Sequence, residues 1–459
     1  MKKYFVSIYC PPYPPKVEKN VPNRITRKSF EILKNVGIDN IFGHFEDSYG
    51  DNYIDDSMSL CDEYGMSYFI RPQITHNFLE VTDSPVFKGT SFKEKSIEEQ
   101  EKLLNEFSKT CERYAKHKSF GGVMFGDESP LQSFEGLGAA YKLFKEKYPN
   151  KDFHYNCLNY CISDAHMYGG AESKFKDVMV GDLAIASENR FNRYNYFLSH
   201  YFEKTGLNMF STDLYPFSDY WKELNTSIHR GLYEIPGYMA ELKKKRPGLK
   251  TYSYIQLGVW DDVGDKVKVD FPEMSLQINI AMAFNCDGYV FFPGVTPNDF
   301  IGDPAYENTI HGKMGFIDDQ GNETKYVNIV KPIIEYSQKV APILLESQFQ
   351  GVYTIGEFKS GFPKNVDVAA LVDNDAIYTG KLNNFVIYEG NKPEIVTNGQ
   401  LLVSIFSLNN KPIYFITNNS RVSDVEFTIF SELVNCLIQS GKRDGNKFNL
   451  KSGTSVLIY

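Results

Sequence analysis

The sequence predicts a (β/α)8 barrel followed by a small, all-β antiparallel sandwich. Over residues 1–346, short β-rich runs alternate with amphipathic helical segments, which is typical of a parallel α/β architecture. The alternation gives eight strand–helix units, the number that closes such a barrel. From residue 347 onward, short strands follow one another with turn residues between them and no helices, as in antiparallel sandwiches. We therefore expect a barrel domain, 1–346, and a β-sandwich domain, 347–459.

The predicted barrel strands are short apolar runs that end in polar residues. They cover 4–9, 38–42, 67–70, 121–125, 152–157, 208–212, 251–257 and 288–292. The helices follow the 3.6-residue apolar period and cover 26–35, 53–64, 96–118, 136–147, 190–204, 221–245, 273–283 and 324–345. An open, doubly wound sheet would need a Gly-rich phosphate-binding turn after its first strand, but a proline cluster beginning at Pro11 occupies that turn. A closed barrel is therefore the favoured arrangement.

The sandwich strands alternate apolar and polar residues between turns. They are predicted at 351–355, 366–371, 384–388, 401–406, 412–417, 425–430 and 455–459. No Pro/Gly-rich linker separates them from the barrel, so we expect the two domains to pack together.

Composition excludes several classes of protein. The 49 Lys and Arg against 58 Asp and Glu give a net charge of -9, the wrong sign for nucleic-acid binding. No apolar run reaches 18 residues, so no membrane partner is expected. The seven cysteines are scattered without metal-ligand spacing, and no cofactor motif is present, so neither a metal nor a cofactor is predicted. Free thiols and the lack of a signal peptide favour a cytoplasmic location. The sequence does not indicate an oligomeric state.

Adjacent carboxylates follow the fourth predicted strand. Asp127 and Glu128 come directly after a buried apolar run, at the end of the barrel where active sites lie. Mutual repulsion and partial desolvation would raise the pKa of at least one of them, as a general acid requires. The alternative is that one of them caps the next helix ahead of Pro130.

A third acid and several hydrogen-bonding side chains follow other strands. Asp213 follows the sixth strand, nearly across the barrel from Glu128, and glycoside hydrolysis needs two carboxylates flanking one bond. We predict Glu128, Asp213 and Asp127 as catalytic residues. The polar and aromatic side chains predicted to bind a polyhydroxylated ligand are His44, Arg71, Gln73, Asn156, Asn159, Tyr215, Gln256 and Trp260.

The order of these motifs resembles glycoside hydrolase clan A and its β-galactosidase-like relatives. The resemblance rests on Asp-Glu-x-Pro after strand four, Asn-x-x-Asn-Tyr after strand five, Asp-x-Tyr-Pro-Phe after strand six, Gln-x-Gly after strand seven and the terminal β-domain. It implies a glycosidase acting on a carbohydrate. In that clan strand four carries Asn-Glu-Pro, whose Glu is the acid/base, so Glu128 matches it and Asp127 replaces the Asn. The clan's nucleophilic Glu ends strand seven, where this chain has Gln256, and a Gln cannot act as nucleophile.

Three accounts of the second catalytic group stay open. Asp213 could activate water while Glu128 protonates the leaving group, an inverting pair that needs about 6.5 to 9.5 Å between the carboxyls. Asp127 and Glu128 could act together on a 2-acetamido sugar, because an adjacent Asp-Glu resembles that of substrate-assisted hexosaminidases. Finally, Asp261 or Asp262 could move into the nucleophile's position from the loop after strand seven.

Two rival functions also stay open. The missing acid on strand seven is compatible with a noncatalytic barrel that binds carbohydrate without cleaving it. A metal-dependent hydrolase is more distant: His44, Glu46, Asp127 and Asp213 could converge, but the first strand lacks the His-x-His usual in barrel metal sites.

Overall fold

The computed structural model defines which parts of the chain can be described. These are residues 2–43, 52–82, 84, 87–159, 164–167, 187–217, 230–258, 269–298, 301, 314–355, 388, 390–431 and 435–459. For 164–165, 187–193 and 230 the description is limited to secondary structure. No helix in these ranges is long and apolar enough to cross a membrane.

The first part of the chain forms a closed barrel of eight parallel strands. The strands are β1 Phe5–Ile8, β2 Asn40–Phe42, β3 Ser67–Ile70, β4 Phe120–Asp127, β5 Asp152–Asn156, β6 Met209–Thr212, β7 Lys250–Gln256 and β8 Gly288–Phe292. They pair in the order β5-β4-β3-β2-β1-β8-β7-β6. A parallel bridge between Cys157 and Thr212 joins the two ends, and the Cys157 N–H donates to the Ser211 carbonyl at 2.8 Å. The predicted (β/α)8 barrel is confirmed.

Helices surround the barrel. They are α1 Arg27–Val36, α2 Tyr53–Tyr64, α3 His76–Leu79, α4 Ile97–Tyr114, α5 Phe134–Lys147, α6 Asp164–Met167, α7 Ser187–Thr205, α8 Ile235–Lys245, α9 Phe271–Ala283 and α10 Lys325–Leu344. The start of α4 shows why helices begin where they do: Ser96 Oγ accepts from the Glu99 N–H, and the Glu99 carboxylate accepts from the Ser96 N–H. In the predicted helix 221–245, a π-helical turn, Arg230–Glu234, precedes α8, and residues 221–229 lie outside the described part.

Aromatic side chains fill the bottom of the barrel. The imidazole of His154 on β5 lies with its ring centroid 4.9 Å from each of the rings of Phe5, Phe42 and Phe69, and 5.1 Å from that of Tyr252. These five side chains come from five different strands. They close the barrel below the mouth, where the carboxyl ends of the strands converge.

Strand β4 is longer than predicted because it contains an irregularity. Its pairing with β5 shifts between Met124 and Gly126, so β4 has one residue more than its partner over the same span. At the start of the strand Gly122 adopts φ +146°, and a Cβ there would lie 1.8 Å from the Asp152 carbonyl oxygen. Only glycine permits this approach. The strand continues to Asp127, which brings the predicted catalytic acids to the mouth.

The second part of the chain is an antiparallel sandwich, as predicted. Its strands are β9 Gln348–Ile355, β10 Glu394–Thr397, β11 Leu401–Leu408, β12 Lys411–Asn418, β13 Val425–Phe430, β14 Cys436–Ile438, β15 Gly441–Asp444, β16 Lys447–Leu450 and β17 Ser455–Ile458. One sheet has the order β14-β17-β12-β11-β9 and the other β10-β13-β16-β15. The predicted strand 366–371 and residues 384–387 of the predicted strand 384–388 lie outside the described residues, and Tyr388 is described but is not part of a strand. The domain boundary at 346/347 stays a prediction. The sequence missed β10, β14, β15 and β16.

Both faces of the five-stranded sheet are buried. In β11, Leu401, Val403 and Ile405 pack against the second sheet, whereas Leu402 and Phe406 pack into the core of the barrel. This follows from the two-residue period of a strand, and it explains why β11 is apolar almost throughout.

Helix α9 lies between the barrel and the sandwich. Every residue from Glu273 to Ala283 is buried, because the helix contacts β7 and β8 on the barrel side and β11 and β12 on the sandwich side. Polar contacts cross the same boundary: Ser275 Oγ and Asn279 Nδ2 donate to the Gly453 carbonyl oxygen at 2.8 and 2.9 Å. The helix is therefore part of one continuous core.

Candidate active site

The end of β4 holds Glu128 in an unusual backbone conformation. Its φ is 49°, in the left-handed region that side chains with a Cβ rarely adopt. The Glu128 N–H donates to the Asn156 carbonyl oxygen at 2.9 Å, which ties this conformation to β5. Such residues cost on the order of 1–3 kcal/mol and cluster at functional sites. The turn directs the chain out of the sheet at the barrel mouth.

Three predicted acids come together at this mouth. The carboxyl group of Glu128 is hydrogen-bonded to that of Asp213, which directly follows β6. Asn156 Nδ2 donates to Asp127 Oδ1 at 3.0 Å and to Asp213 Oδ1 at 2.7 Å. One amide group therefore links the acids of two strands.

Neighbouring residues fix the orientation of this amide. Because ionised carboxylates only accept hydrogen bonds, the Asn156 atom that faces Asp127 and Asp213 is Nδ2. Its Oδ1 lies 3.0 Å from Ser211 Oγ. Asn159 Nδ2 donates to the backbone carbonyl of Asp213 at 3.1 Å. Both asparagines were predicted at this mouth, and the structure places both beside Asp213.

The environment favours a protonated acid at Glu128. Burial, then the charges of Asp213 and Asp127, and the hydrogen bond to Asp213 raise the pKa of Glu128 well above its usual value. Burial, followed by the charge of Asp127, raises the pKa of Asp213 to about 6, while hydrogen bonds from Asn156 and Tyr215 act in the opposite direction. An upward shift of this kind favours the protonated form of Glu128, which is the form that can donate a proton.

A tyrosine and an arginine lie behind Asp127. The hydroxyl of Tyr9, which directly follows β1, donates to Asp127 Oδ2 at 2.9 Å. The same hydroxyl accepts a hydrogen bond from Arg71 Nη1, and the guanidinium lies over the Tyr9 ring, 5.5 Å from its centroid. Arg71 was predicted at the mouth, whereas Tyr9 was missed. Its position at the end of the first predicted strand was the available signal.

Aromatic rings form part of the wall around the acids. Tyr215 stacks on Phe292 with their centroids 5.5 Å apart, and the Tyr9 ring lies 5.6 Å from Phe292 and 6.1 Å from Tyr254. Such rings suit the apolar faces of a sugar. Sequence reasoning found Tyr215 but missed Tyr254 and Phe292. The two-residue alternation of Tyr252 and Tyr254 on β7 would have indicated that Tyr254 points inward.

Gln256, at the position of the clan's nucleophile, is occupied by backbone contacts. Its Oε1 accepts from the Phe217 N–H at 2.8 Å, and its Nε2 donates to the carbonyl oxygens of Phe217 and Gly258, each at 3.0 Å. The residue is fully buried. Gln256 thus joins the segments that follow β6 and β7, and its contact with a substrate stays a prediction.

The remaining predicted residues differ in position. Gln73 is exposed in the short 3-10 turn Gln73–Thr75. His44 and Trp260 lie outside the described residues, as do Glu46, Asp261 and Asp262.

His166 in α6 was missed by the sequence analysis. Its imidazole donates to the backbone carbonyl of Glu128, and burial lowers the pKa of His166. Within the described ranges, no group of three or more His, Cys, Asp or Glu side chains is arranged to hold a metal ion.

The contact between Glu128 and Asp213 bears on the mechanism. An inverting pair needs about 6.5 to 9.5 Å between its carboxyls, which leaves room for the attacking water. Here the two carboxyls are hydrogen-bonded directly to one another. In this arrangement Asp213 affects the protonation of Glu128, and its role in activating a water stays a prediction.

No protein-family model matches the chain, and no curated protein matches it. Solved structures are similar in fold. A catalytic mutant of a GH42 β-galactosidase from G. stearothermophilus aligns with a TM-score of 0.51 and 10% identity, over 99% of this chain and 98% of that one. GH5_18 from Streptomyces cattleya in complex with GlcNAc aligns with a TM-score of 0.44 and 10% identity, over 73% of this chain and 80% of that one. A β-galactosidase from Marinomonas ef1 aligns with a TM-score of 0.43 and 12% identity, over 76% of this chain.

This chain spans 62% of the length of the Marinomonas enzyme. At such identities the likeness concerns the fold alone, and it is the GH42 alignment, covering nearly both whole chains, that supports it. The alignment includes the barrel as well as the sandwich. The fold of this chain is therefore a (β/α)8 barrel with a C-terminal β-sandwich, similar to the fold of that GH42 β-galactosidase.

Proposed function

We propose that this chain is a glycosidase in which Glu128 is the general acid. The observation that carries the proposal is the hydrogen bond between Glu128 and Asp213, beside Asp127, at the mouth of a glycosidase-like barrel. A carboxylic acid kept neutral at pH 7 can protonate the leaving oxygen of an O-glycosidic bond.

The other acids serve this step through their charge. Asp213 and Asp127 hold the proton on Glu128 until a substrate oxygen of sufficient basicity approaches. As the glycosidic bond breaks, positive charge develops at the anomeric carbon and ring oxygen, and fixed carboxylates nearby stabilise it. The stacked rings of Tyr215 and Phe292 offer an apolar surface for the sugar.

A specific observation favours one variant of this reaction, the cleavage of a 2-acetamido sugar. With Asp213 bonded to Glu128, Asp127 is the acid whose two oxygens are held by donors from Tyr9 and Asn156. A carboxylate fixed in this way can accept the acetamido N–H. The acetamido oxygen then forms a bond to the anomeric carbon, the bond from that carbon to the leaving oxygen breaks, and the proton of Glu128 passes to the leaving oxygen. Water next forms a bond to the anomeric carbon, the bond to the acetamido oxygen breaks, and a proton of the water returns to Glu128.

The test is hydrolysis of a panel of 4-nitrophenyl glycosides, with and without a 2-acetamido group, by the wild type and by Glu128→Gln. For the glycoside that is cleaved, we expect Glu128→Gln to lose about 10²-fold or more of the activity. Glu241→Gln is the matched control. Burial also raises the pKa of this glutamate, to about 7, but Glu241 lies on α8. Turnover of Glu128→Gln within a few-fold of wild type would show that Glu128 is not the acid.

The noncatalytic alternative is separated by binding. Isothermal titration of the same unlabelled sugars into wild type and Glu128→Gln measures affinity without turnover. Equal binding by both proteins, with no glycoside of the panel cleaved, would favour a carbohydrate-binding barrel over a glycosidase.

A further inference from the structure

We propose that Tyr9 and Arg71 are positioning residues that fix Asp127 as a hydrogen-bond acceptor, so that the acidic proton of the site stays on the Glu128–Asp213 pair. The three carboxyl groups of Asp127, Glu128 and Asp213 are called the carboxyl cluster below. The consequence for catalysis rests on the proposed function, but the arrangement itself can be tested without a substrate.

The direction of the hydrogen bonds follows from the chemistry of the groups. A guanidinium can only donate, and a phenol has a single proton. Since Arg71 donates to the Tyr9 hydroxyl, the proton of that hydroxyl is available for Asp127 Oδ2, which accepts it at 2.9 Å. The cation, the phenol and the carboxylate thus form an ordered relay from Arg71 to Asp127, in which every hydrogen bond has a charged partner.

The relay is rigid and largely shielded from water. Tyr9 is 4% exposed and Arg71 is 2% exposed. Asp127 is held from its other side by Asn156 Nδ2 at 3.0 Å, and the Asn156 amide is itself fixed by Ser211. Both oxygens of Asp127 therefore have donors in fixed positions, and a donor to a carboxylate favours its ionised form. The same Asn156 donates to Asp213, so a change at Asp127 is transmitted to the rest of the cluster.

Other titratable groups also face the cluster. Among the described residues, those whose charge interacts with its carboxyls are Tyr9, Arg71, Tyr155, Cys157, Tyr215 and Tyr254, and His166 donates to the backbone of Glu128. Arg71 is the one permanent cation in this set. Removing it, or the hydroxyl that connects it to Asp127, should therefore change how the cluster holds its protons.

The experiment is a carboxyl ¹³C NMR titration of the full chain labelled at its Asp and Glu side-chain carboxyls, with resonances assigned through Asp127→Asn and Glu128→Gln. In Tyr9→Phe we expect the highest apparent pKa of the cluster to rise by about one unit, since a donor to a carboxylate is lost. The Asp127 resonance should take part in that step. Tyr254→Phe is the matched control, because its buried hydroxyl makes no hydrogen bond within the described part of the chain.

The outcomes separate cleanly. An upward shift in Tyr9→Phe that is absent in Tyr254→Phe supports the proposal, and identical titrations of these two variants overturn it. If circular dichroism shows that Tyr9→Phe is unfolded, Arg71→Gln decides: loss of the cation should shift the cluster upward, and an unchanged titration overturns the proposal. Because no substrate is used, a protein that cleaves no glycoside can still pass or fail this test.

Discussion

The buried imidazole of His154 should make the stability of the barrel depend on pH. The side chain is 3% exposed, lies among aromatic rings, and its Nε2 makes no hydrogen bond in the described part of the chain. Burial lowers the pKa of His154 from 6.5 to about 4. Protonation would place an unpaired cation in the floor of the barrel, which is costly.

The sign and size of the effect follow from this shift. Because the pKa is lower in the folded than in the unfolded chain, the stability is fully present above about pH 6.5 and is lost as the pH falls toward 4. The shift of about 2.5 units corresponds to roughly 3 kcal/mol at 1.36 kcal/mol per unit. His154→Phe removes the titrating group and keeps an aromatic ring in a layer that already contains three phenylalanines.

The assay is urea-induced unfolding of wild type and His154→Phe at several pH values between 7 and 4. Acidic side chains also titrate in this range, so the informative quantity is the difference between the two proteins. We expect His154→Phe to gain roughly 3 kcal/mol relative to wild type between pH 7 and pH 4. Parallel loss of stability in both proteins would refute the assignment of a buried, neutral imidazole.

Three further predictions concern the mouth and β4. Gln256→Glu should not create a nucleophile. The new carboxylate would face the two backbone carbonyls that accept hydrogen bonds from the Gln256 amide in the wild type. We therefore expect the variant to be less stable by roughly 3 kcal/mol in thermal unfolding. Gly122→Ala should cost about 2 kcal/mol or more, measured the same way, because its φ of +146° is strained for alanine and the new Cβ meets a carbonyl of the next strand. Asp213→Asn should lower the pKa of Glu128, so the alkaline limb of any pH–rate profile should move to lower pH by about one unit; an unmoved limb would argue against the pair.

The barrel was predictable because its strands are apolar runs of regular spacing, and β3 and β8 have the predicted bounds. The extension of β4 to Asp127 could not be predicted, because it depends on an irregular pairing with β5 rather than on residue type. In the sandwich, β15 Gly441–Asp444 is exposed at all four residues and so carries no apolar pattern. Strands are detected in a sequence through burial, and an exposed edge strand lacks it.

The site was predictable where it depends on topology and unpredictable where it depends on side-chain direction. Asp127, Glu128 and Asp213 converge because the carboxyl ends of parallel strands in a barrel meet at one mouth. Gln256 ends β7 at the same mouth, but its side-chain amide is hydrogen-bonded to the neighbouring backbone. The contact of Tyr9 with Asp127 joins residues 118 positions apart in the chain, and no local pattern indicates it.

Helix α9 has a consequence for how the protein can be divided. Since it is covered by the barrel on one side and by the sandwich on the other, a fragment ending near residue 346 would expose an apolar helix face and leave Ser275 and Asn279 without their carbonyl acceptor. Such a fragment should aggregate rather than fold as an independent domain. The sandwich is better regarded as the missing outer layer of the barrel than as an accessory module, and the two should melt in a single cooperative transition.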